Sequence, residues 1–285
     1  MWTSATCDES QESRILLRRN VYEAGNSRSN RCWRYWNGNR SPSGLRQALL
    51  LADFNEKLLE SAAKELEVAS YKVSTLKVDV SSRESVRALA DAAAALGSVV
   101  NVVNTAGVSP NMAPPGRVLA VDLYGSAVVF EEFERVIAPG GAGLIVSSMA
   151  GHMSAGLPAD QEHDLAFAPA DELLAKPFLG PDAVPNSMVA YIVSKRANHL
   201  RVQASAISWG KRGARVNSIS PGIIATPLAQ HELNSPAKRM ASPDEIAVAA
   251  SYLLGPDAGF VTGSDLLIDG GVIAAMRAGL LPSPA

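Results

Sequence analysis

Residues 48–80 read ALLLADFNEKLLESAAKELEVASYKVSTLKVDV. The apolar run Leu49–Ala52 ends at Asp53. It does not alternate with polar residues, as a strand with one wet face would, so it reads as a strand covered on both sides. Residues 55–69 follow, with Leu58, Leu59, Ala62, Leu66 and Ala69 at helical spacing on an otherwise charged segment. That is one apolar stripe on an amphipathic helix. Val73–Val78 is the next strand and ends at a second acid, Asp79. A buried strand, a helix and another buried strand in succession define a parallel pair with its crossover helix packed outside.

The alternation continues outward. A helix over 83–95 leads to the strand Val99–Val103, closed by Asn104-Thr-Ala-Gly107. A long helix over 117–137 is stopped by Pro139-Gly-Gly141, and the strand Gly143–Ser148 follows. Residues 151–186 contain five prolines and read as loop, with a short helix around 170–175. A helix over 188–209, the strand Ala214–Ile219, a helix over 243–254 and a short strand Leu266–Ile268 complete the pattern. The fold class predicted is α/β: a doubly wound, mostly parallel sheet in a single domain over 48–275, with a tail at 276–285. Ligands bind such sheets at the carboxyl ends of the strands. Asp53, Asp79, Asn104–Gly107, Ser147–Ser148 and Pro221–Gly222 gather there.

Composition narrows the function classes. The chain has 285 residues, 26 Lys plus Arg and 28 Asp plus Glu, a net charge of -2. That leaves no cationic excess for a polyanion, so no nucleic-acid partner is expected. Two cysteines, Cys7 and Cys32, exclude a disulfide-rich secreted scaffold. No apolar run reaches membrane-spanning length, so no membrane partner is expected. Asp8, Glu9 and Glu12 stand where a signal peptide needs an apolar stretch, and the expected location is cytoplasmic.

Tyr191-Ile-Val-Ser-Lys195 opens the helix over 188–209. A spacing of four puts both side chains on one helical face. A phenol is a poor acid or base near neutrality, its ordinary pKa being about 10, and a neighbouring ammonium favours the phenolate.

Taken with its surroundings, this pair resembles the centre of a short-chain dehydrogenase/reductase, a family of NAD(P)-dependent oxidoreductases with a Rossmann-type fold. Six pieces occur in family order: Asp79-Val80, Asn104-Thr-Ala-Gly107, Ile145-Val-Ser-Ser-Met-Ala-Gly151, Tyr191-Ile-Val-Ser-Lys195, Pro221-Gly-Ile-Ile-Ala-Thr226 and Ile268-Asp-Gly-Gly271. The resemblance implies that Tyr191 is the general acid/base. It makes Lys195 the residue that favours the ionised tyrosine and binds the nicotinamide ribose, and Ser148 the donor to the substrate oxygen, with Ser147 as fallback. Asp79 resembles the acid that meets the adenine amino group, with Val80 beside it. Asn104, Ala106 and Gly107 resemble the segment bordering the cofactor. Pro221, Gly222, Ile223 and Thr226 resemble its carboxamide contacts. Asp53 ends its strand where an acid accepts from both ribose hydroxyls of NAD and repels the 2'-phosphate of NADP, and no arginine follows it directly. NAD is therefore expected over NADP. The implied partner is a small alcohol or carbonyl substrate, and family members are commonly tetramers or dimers, so a homo-oligomer is expected.

The chain departs from the family in three places. Asp122 stands where the family has an asparagine that holds a relay water, and a carboxylate also accepts from water. The stretch from Thr226 to Pro236 is short for a substrate lid, whereas Ser148 and Tyr191 are 43 residues apart and the segment between them is expected at the substrate entrance. Three acids within 160–164 and His163 read as solvated loop, and no metal is expected.

The third departure is the N-terminal segment. A dinucleotide fold needs a glycine-rich loop about 20 residues before the acid corresponding to Asp53. Counting back reaches residues 29–36, which read SNRCWRYW. Residues 1–47 are therefore an atypical segment in which the first strand and that loop look degraded. One permissible codon choice for Asn30 to Gly38 is AAY CGN TGC TGG CGG TAY TGG AAY GGN, and read one nucleotide later it can spell Ile-Gly-Ala-Gly-Gly-Ile-Gly-Met. The segment reads either as translated out of frame or as a divergent extension. The competing function is a catalytically weak dinucleotide-fold protein with a binding or scaffolding role.

Overall fold

Leu49 and Leu51 face one side of their strand and Leu50 and Ala52 the other, and all four are buried. Both faces of the sheet are thus covered, as the unbroken apolar run requires. A computed structural model describes residues 12–17 by their backbone and residues 48–68, 71–154, 156–224 and 235–281. The strands are β1 (Glu12–Leu17), β2 (Ala48–Asp53), β3 (Lys72–Lys77), β4 (Ser98–Asn104), β5 (Ile137–Val146), β6 (Arg215–Pro221) and β7 (Asp265–Ile268). They form one sheet in the order β3-β2-β1-β4-β5-β6-β7, and every pairing is parallel.

Helices cover both faces. On one side lie α1 (Glu56–Val68) and α8 (Pro243–Leu254), whose Leu59, Ala62, Leu66, Ile246 and Leu253 pack on Leu49, Leu51, Leu144 and Ile219. On the other lie α2 (Arg83–Leu96), α3 (Pro115–Val118), α4 (Ser126–Glu134) and α7 (Ser187–Lys211), bringing Leu89, Val128, Phe133 and Trp209 onto Leu50, Val102 and Ile145. Trp209 is almost wholly enclosed, and its indole N–H donates to the Phe130 carbonyl at 3.3 Å. Each such side chain contributes roughly 1.5–3 kcal/mol of burial.

Three expectations need correction here. The first strand, expected to be degraded, is present: β1 pairs with β2 on one edge and β4 on the other, in the middle of the sheet. Its sequence ESRILL is half polar and half apolar, so it shows neither a buried run nor alternation, and the pairing comes from its two neighbours. The glycine-rich loop sought at residues 29–36 lies outside the described residues. The long helix over 117–137 is three pieces: α3, a π turn over Leu119–Gly125, and α4, which ends at Glu134. Pro139-Gly-Gly141 lies within β5, at a register slip between Val99 and Asn101 of the facing strand. A proline cannot donate to a ladder and is accommodated at such a bulge.

The stretch 151–186 is more helical than its prolines suggest. It holds α5 (Ala159–Phe167), α6 (Ala170–Leu173) and a 3-10 turn at Pro177–Leu179. Pro158, Pro169 and Pro177 stand at the starts of these turns, where the absent N–H leaves no bond unmade. A last helix, α9 (Val272–Arg277), crosses the boundary expected at 275.

Candidate active site

The strand order reverses between β1 and β4, so the carboxyl ends of these strands flank a crevice, the usual ligand position in open α/β sheets. Three groups of side chains meet around it. The central group is built on α7. Asn186 caps that helix by accepting from the Val189 N–H at 3.0 Å, and Tyr191 and Lys195 follow one turn apart. The Lys195 ammonium lies 5.3 Å from the centre of the Tyr191 ring. It also lies 2.8 Å from Asp122 Oδ1, a side chain wholly removed from solvent. The π turn carries Asp122 inward, and its Oδ2 accepts from the Val108 N–H at 2.9 Å. A Cβ on Gly107 would stand 2.6 Å from Asp122 Oδ1 and 3.5 Å from Lys195 Nζ, so only glycine fits between them.

The end of β5 is fastened to the same helix. Ser147 Oγ donates to the Lys195 carbonyl at 3.1 Å. Ser148 Oγ accepts from the Ala150 N–H at 3.2 Å and caps the 3-10 turn Met149–His152. Capping uses a lone pair and leaves the Ser148 hydroxyl proton to donate elsewhere. Of the two serines, Ser147 is committed to structure and Ser148 keeps a donor.

At the other end of the crevice, Asp53, Asp79, Val80, Ala106 and Gly107 line one cavity together with Phe54, Arg117 and Val121. Asp53 is buried and accepts from the Asn55 N–H at 2.8 Å. Asp79 Oδ1 accepts from the Ser81 N–H at 2.9 Å and O–H at 2.6 Å, and Arg117 stands 3.6 Å away. Burial alone would raise the Asp79 carboxyl, but the Ser81 bonds and the Arg117 guanidinium outweigh it and hold it below the usual carboxylate range. Asn104 Oδ1 accepts from the Ala106 N–H at 3.0 Å and shapes the turn after β4. At the end of β6, beyond Pro221, the Gly222 N–H donates to the Ile268 carbonyl at 2.8 Å and Ile223 is exposed. Thr226, and most of the stretch expected to form a short lid, lie outside the described residues.

Sequence reasoning missed Phe54, Arg117 and Val121. The four-residue spacing of Arg117 and Val121 was the available signal, since it brings both to one side of a helix. A further group was also missed: His152, His199 and Asp265, whose donor atoms lie within 4.8 Å of one another. Burial pushes the His199 imidazole down to about 4, against the pull of Asp265, so it is neutral at physiological pH. The acids around His163 are engaged otherwise: Glu162 pairs with Arg196 at 2.6 Å, Asp164 with Lys176 at 2.9 Å, and the His163 ring rests on Phe167.

Fold and site together define a doubly wound α/β protein with a buried tyrosine, lysine and carboxylate at the sheet's carboxyl edge. Residues 46–159 and 178–273 match the family model described as enoyl-(acyl carrier protein) reductase. The chain belongs to the short-chain dehydrogenase/reductase family. It is 37% identical over 245 residues to the short-chain dehydrogenase/reductase bsc3 of Alternaria brassicicola, covering 81% of this chain and 89% of that protein. It is 31% identical over 238 residues to the 3-alpha-hydroxysteroid dehydrogenase/carbonyl reductase of Comamonas testosteroni, covering 78% and 91%. A short-chain type dehydrogenase/reductase from Mycobacterium ulcerans superimposes with a TM-score of 0.68 at 22% identity over 93% of this chain and 91% of that one, a likeness of fold. At the level of class the chain is an oxidoreductase, as these relatives are named. Among the described residues no helix is long and apolar enough to cross a membrane.

Proposed function

We propose that the protein transfers a hydride between NAD(H) and a small alcohol or carbonyl compound, with Tyr191 as general acid/base. The observation that carries this reading is the meeting of Tyr191, Lys195 and Asp122 beside Gly107 at the ends of the central strands. A bound nicotinamide supplies or accepts the hydride, which is the cofactor's own chemistry. The chain's residues move the proton. In reduction the Tyr191 hydroxyl donates to the carbonyl oxygen as negative charge develops there. In oxidation its oxygen takes the hydroxyl proton. The Lys195 ammonium, 5.3 Å from the Tyr191 ring, attracts the negative charge that builds on the tyrosine oxygen and bonds a ribose hydroxyl. The remaining proton of Ser148 holds the substrate oxygen, fixing its approach.

The cavity at the ends of β2 and β3 fits the adenosine half. Asp53 accepts from ribose hydroxyls and Asp79 from the adenine amino group, while Val80 and Ala106 supply apolar contact. The Asp53 carboxylate disfavours a 2'-phosphate, which supports NAD(H) over NADP(H). Pro221, Gly222 and Ile223 serve the nicotinamide end. The comparable values of kcat/KM for the two cofactors test the preference, and a higher value with NADP(H) reverses it.

The test of the reaction is turnover of a panel of ketones and secondary alcohols by the parent and by Tyr191→Phe. Loss of turnover with unchanged NADH binding is expected. Binding without turnover in the parent, unaltered by the substitution, establishes the scaffolding role instead. Assembly as a dimer or tetramer belongs to the same proposal and is read by light scattering.

A further inference from the structure

Asp265 opens β7 and lies behind the turn that starts at Ser148. Its Oδ1 accepts from Ser218 Oγ at 2.6 Å and from Ser220 Oγ at 2.9 Å, and its Oδ2 faces His152 Nε2 at 2.7 Å. Ser220 Oγ also lies 2.8 Å from His199 Nε2. Burial would raise the Asp265 carboxyl, but the His152 bond, the nearby His199 and the two serines hold it below the usual range, so it is an acceptor only. The protons then have one consistent arrangement. A serine hydroxyl carries a single proton, and that of Ser220 goes to the carboxylate. His199 must therefore give its own Nε2–H to the Ser220 lone pair. His152 must likewise carry its proton on Nε2.

These partners sit on the elements that carry the proposed catalytic groups. His152 is four residues beyond Ser148, at the end of the same 3-10 turn. His199 is one helical turn beyond Lys195 on α7. Ser218 and Ser220 lie on β6, immediately before Pro221. The two imidazole rings are 4.5 Å apart. The turn and helix touch so closely that a Cβ on Gly151 would stand 2.5 Å from His199 Cε1 and 2.7 Å from the Lys195 backbone.

We propose that Asp265 is a positioning residue: one buried carboxylate fixes the tautomers of His152 and His199 and, through them, holds the Ser148 turn against the Tyr191–Lys195 helix. Its catalytic consequence rests on the function proposed above, whereas the tautomers do not. The charged groups around it are Arg196 and Lys195 on the His199 side. Two histidines and a carboxylate are also the composition of a transition-metal site. Here both Nε2 atoms are engaged as donors and the carboxylate is filled by protein groups, so a bound metal ion is the competing outcome.

Nitrogen-15 NMR of the imidazoles in the full chain, at about pH 8 where an ordinary histidine is neutral, reads the tautomers directly. Both rings are expected with the proton on Nε2. In Asp265→Asn the amide oxygen still serves the two serines and the NH2 turns toward His152. The His152 ring must then move its proton to Nδ1, while His199 stays as it was. Hydrogen exchange of the Gly151 and Met153 amides, which close the turn, is expected to quicken by at least about tenfold in Asp265→Ala. In kinetics, kcat falls by at least about tenfold in both variants while the Kd for NADH stays within about twofold. A parent without turnover defeats the proposed function and leaves the tautomer and exchange results to decide this one. An unchanged His152 tautomer in Asp265→Asn, unchanged exchange in a folded Asp265→Ala, unchanged kcat in an active enzyme, or a spectrum altered by a chelator overturns it.

Discussion

Asp122 stands 2.8 Å from the Lys195 ammonium inside the protein, at the position where the family resemblance implies a water-binding asparagine. A buried ion pair of this kind is costly to break by removing one member, because the other is left uncompensated. Asp122→Asn keeps an acceptor for the Val108 N–H and removes the countercharge of the ammonium. The ammonium is then left uncompensated in the interior, and the variant is expected to lose about 3 kcal/mol of stability in urea unfolding and at least about tenfold in kcat. A variant as stable and as active as the parent shows that Asp122 does not hold Lys195 in place. Tyr191 and Lys195 were legible in the sequence because a four-residue spacing is itself a contact, Asp53 because it ends a buried apolar strand, and Asp79 because it follows the next strand, a half-exposed one at the sheet edge. His152, His199 and Asp265 were not legible, because the sheet brings together residues 47 and 66 positions apart in sequence.

Elements were legible where their apolar pattern decides their surroundings, and less so where backbone pairing or charge decides. Glu132 on α4 illustrates the second case: Arg83 bonds it at 2.9 Å, Arg87 at 3.1 Å and Arg135 at 2.9 Å, joining α2 to α4. Burial would raise its carboxyl, but bonds from Arg87, Arg83 and Arg135 outweigh it and hold it low. Glu132→Gln is expected to cost about 3 kcal/mol in urea unfolding at neutral pH, since three guanidiniums lose their shared negative charge and one of its two acceptor oxygens. A carboxyl lower in the folded than in the unfolded chain contributes its stability fully above the unfolded value, near 4.3, and loses it as pH falls further. Parent and variant should therefore converge in acid, and a difference independent of pH would show packing rather than charge to be responsible. His199 on α7 acts at higher pH. Its folded value of about 4 against about 6.5 unfolded means the unfolded chain takes up the proton first. Stability is expected to fall by roughly 3 kcal/mol as pH drops from about 6.5 to about 4, and His199→Gln should flatten that slope. A parent whose stability is level across this window contradicts the buried neutral imidazole.

For the whole molecule, the sheet order puts β1 at the point where the winding reverses, between the strand that carries Asp53 and the strand that leads to Asn104. The two ends of the crevice are built from described residues, and the resemblance marks both in the sequence. The part between them, where a pyrophosphate needs open backbone amides at a helix start, would come from the chain between β1 and β2. As written, that stretch carries Trp33 and Trp36 where the family places glycines. A phosphate needs open backbone amides, which glycines leave accessible, so cofactor affinity is the property most sensitive to this segment. Reading the coding DNA one nucleotide later from Asn30 is expected to reveal the glycine-rich loop. A protein rebuilt with that reading should bind NADH at least about tenfold more tightly than the chain as written, about 1.4 kcal/mol in binding energy. Equilibrium titration by nicotinamide fluorescence measures both. Equal affinities, or a shifted frame without the glycine codons, would establish the stretch between β1 and β2 as a divergent segment that NADH binding does without.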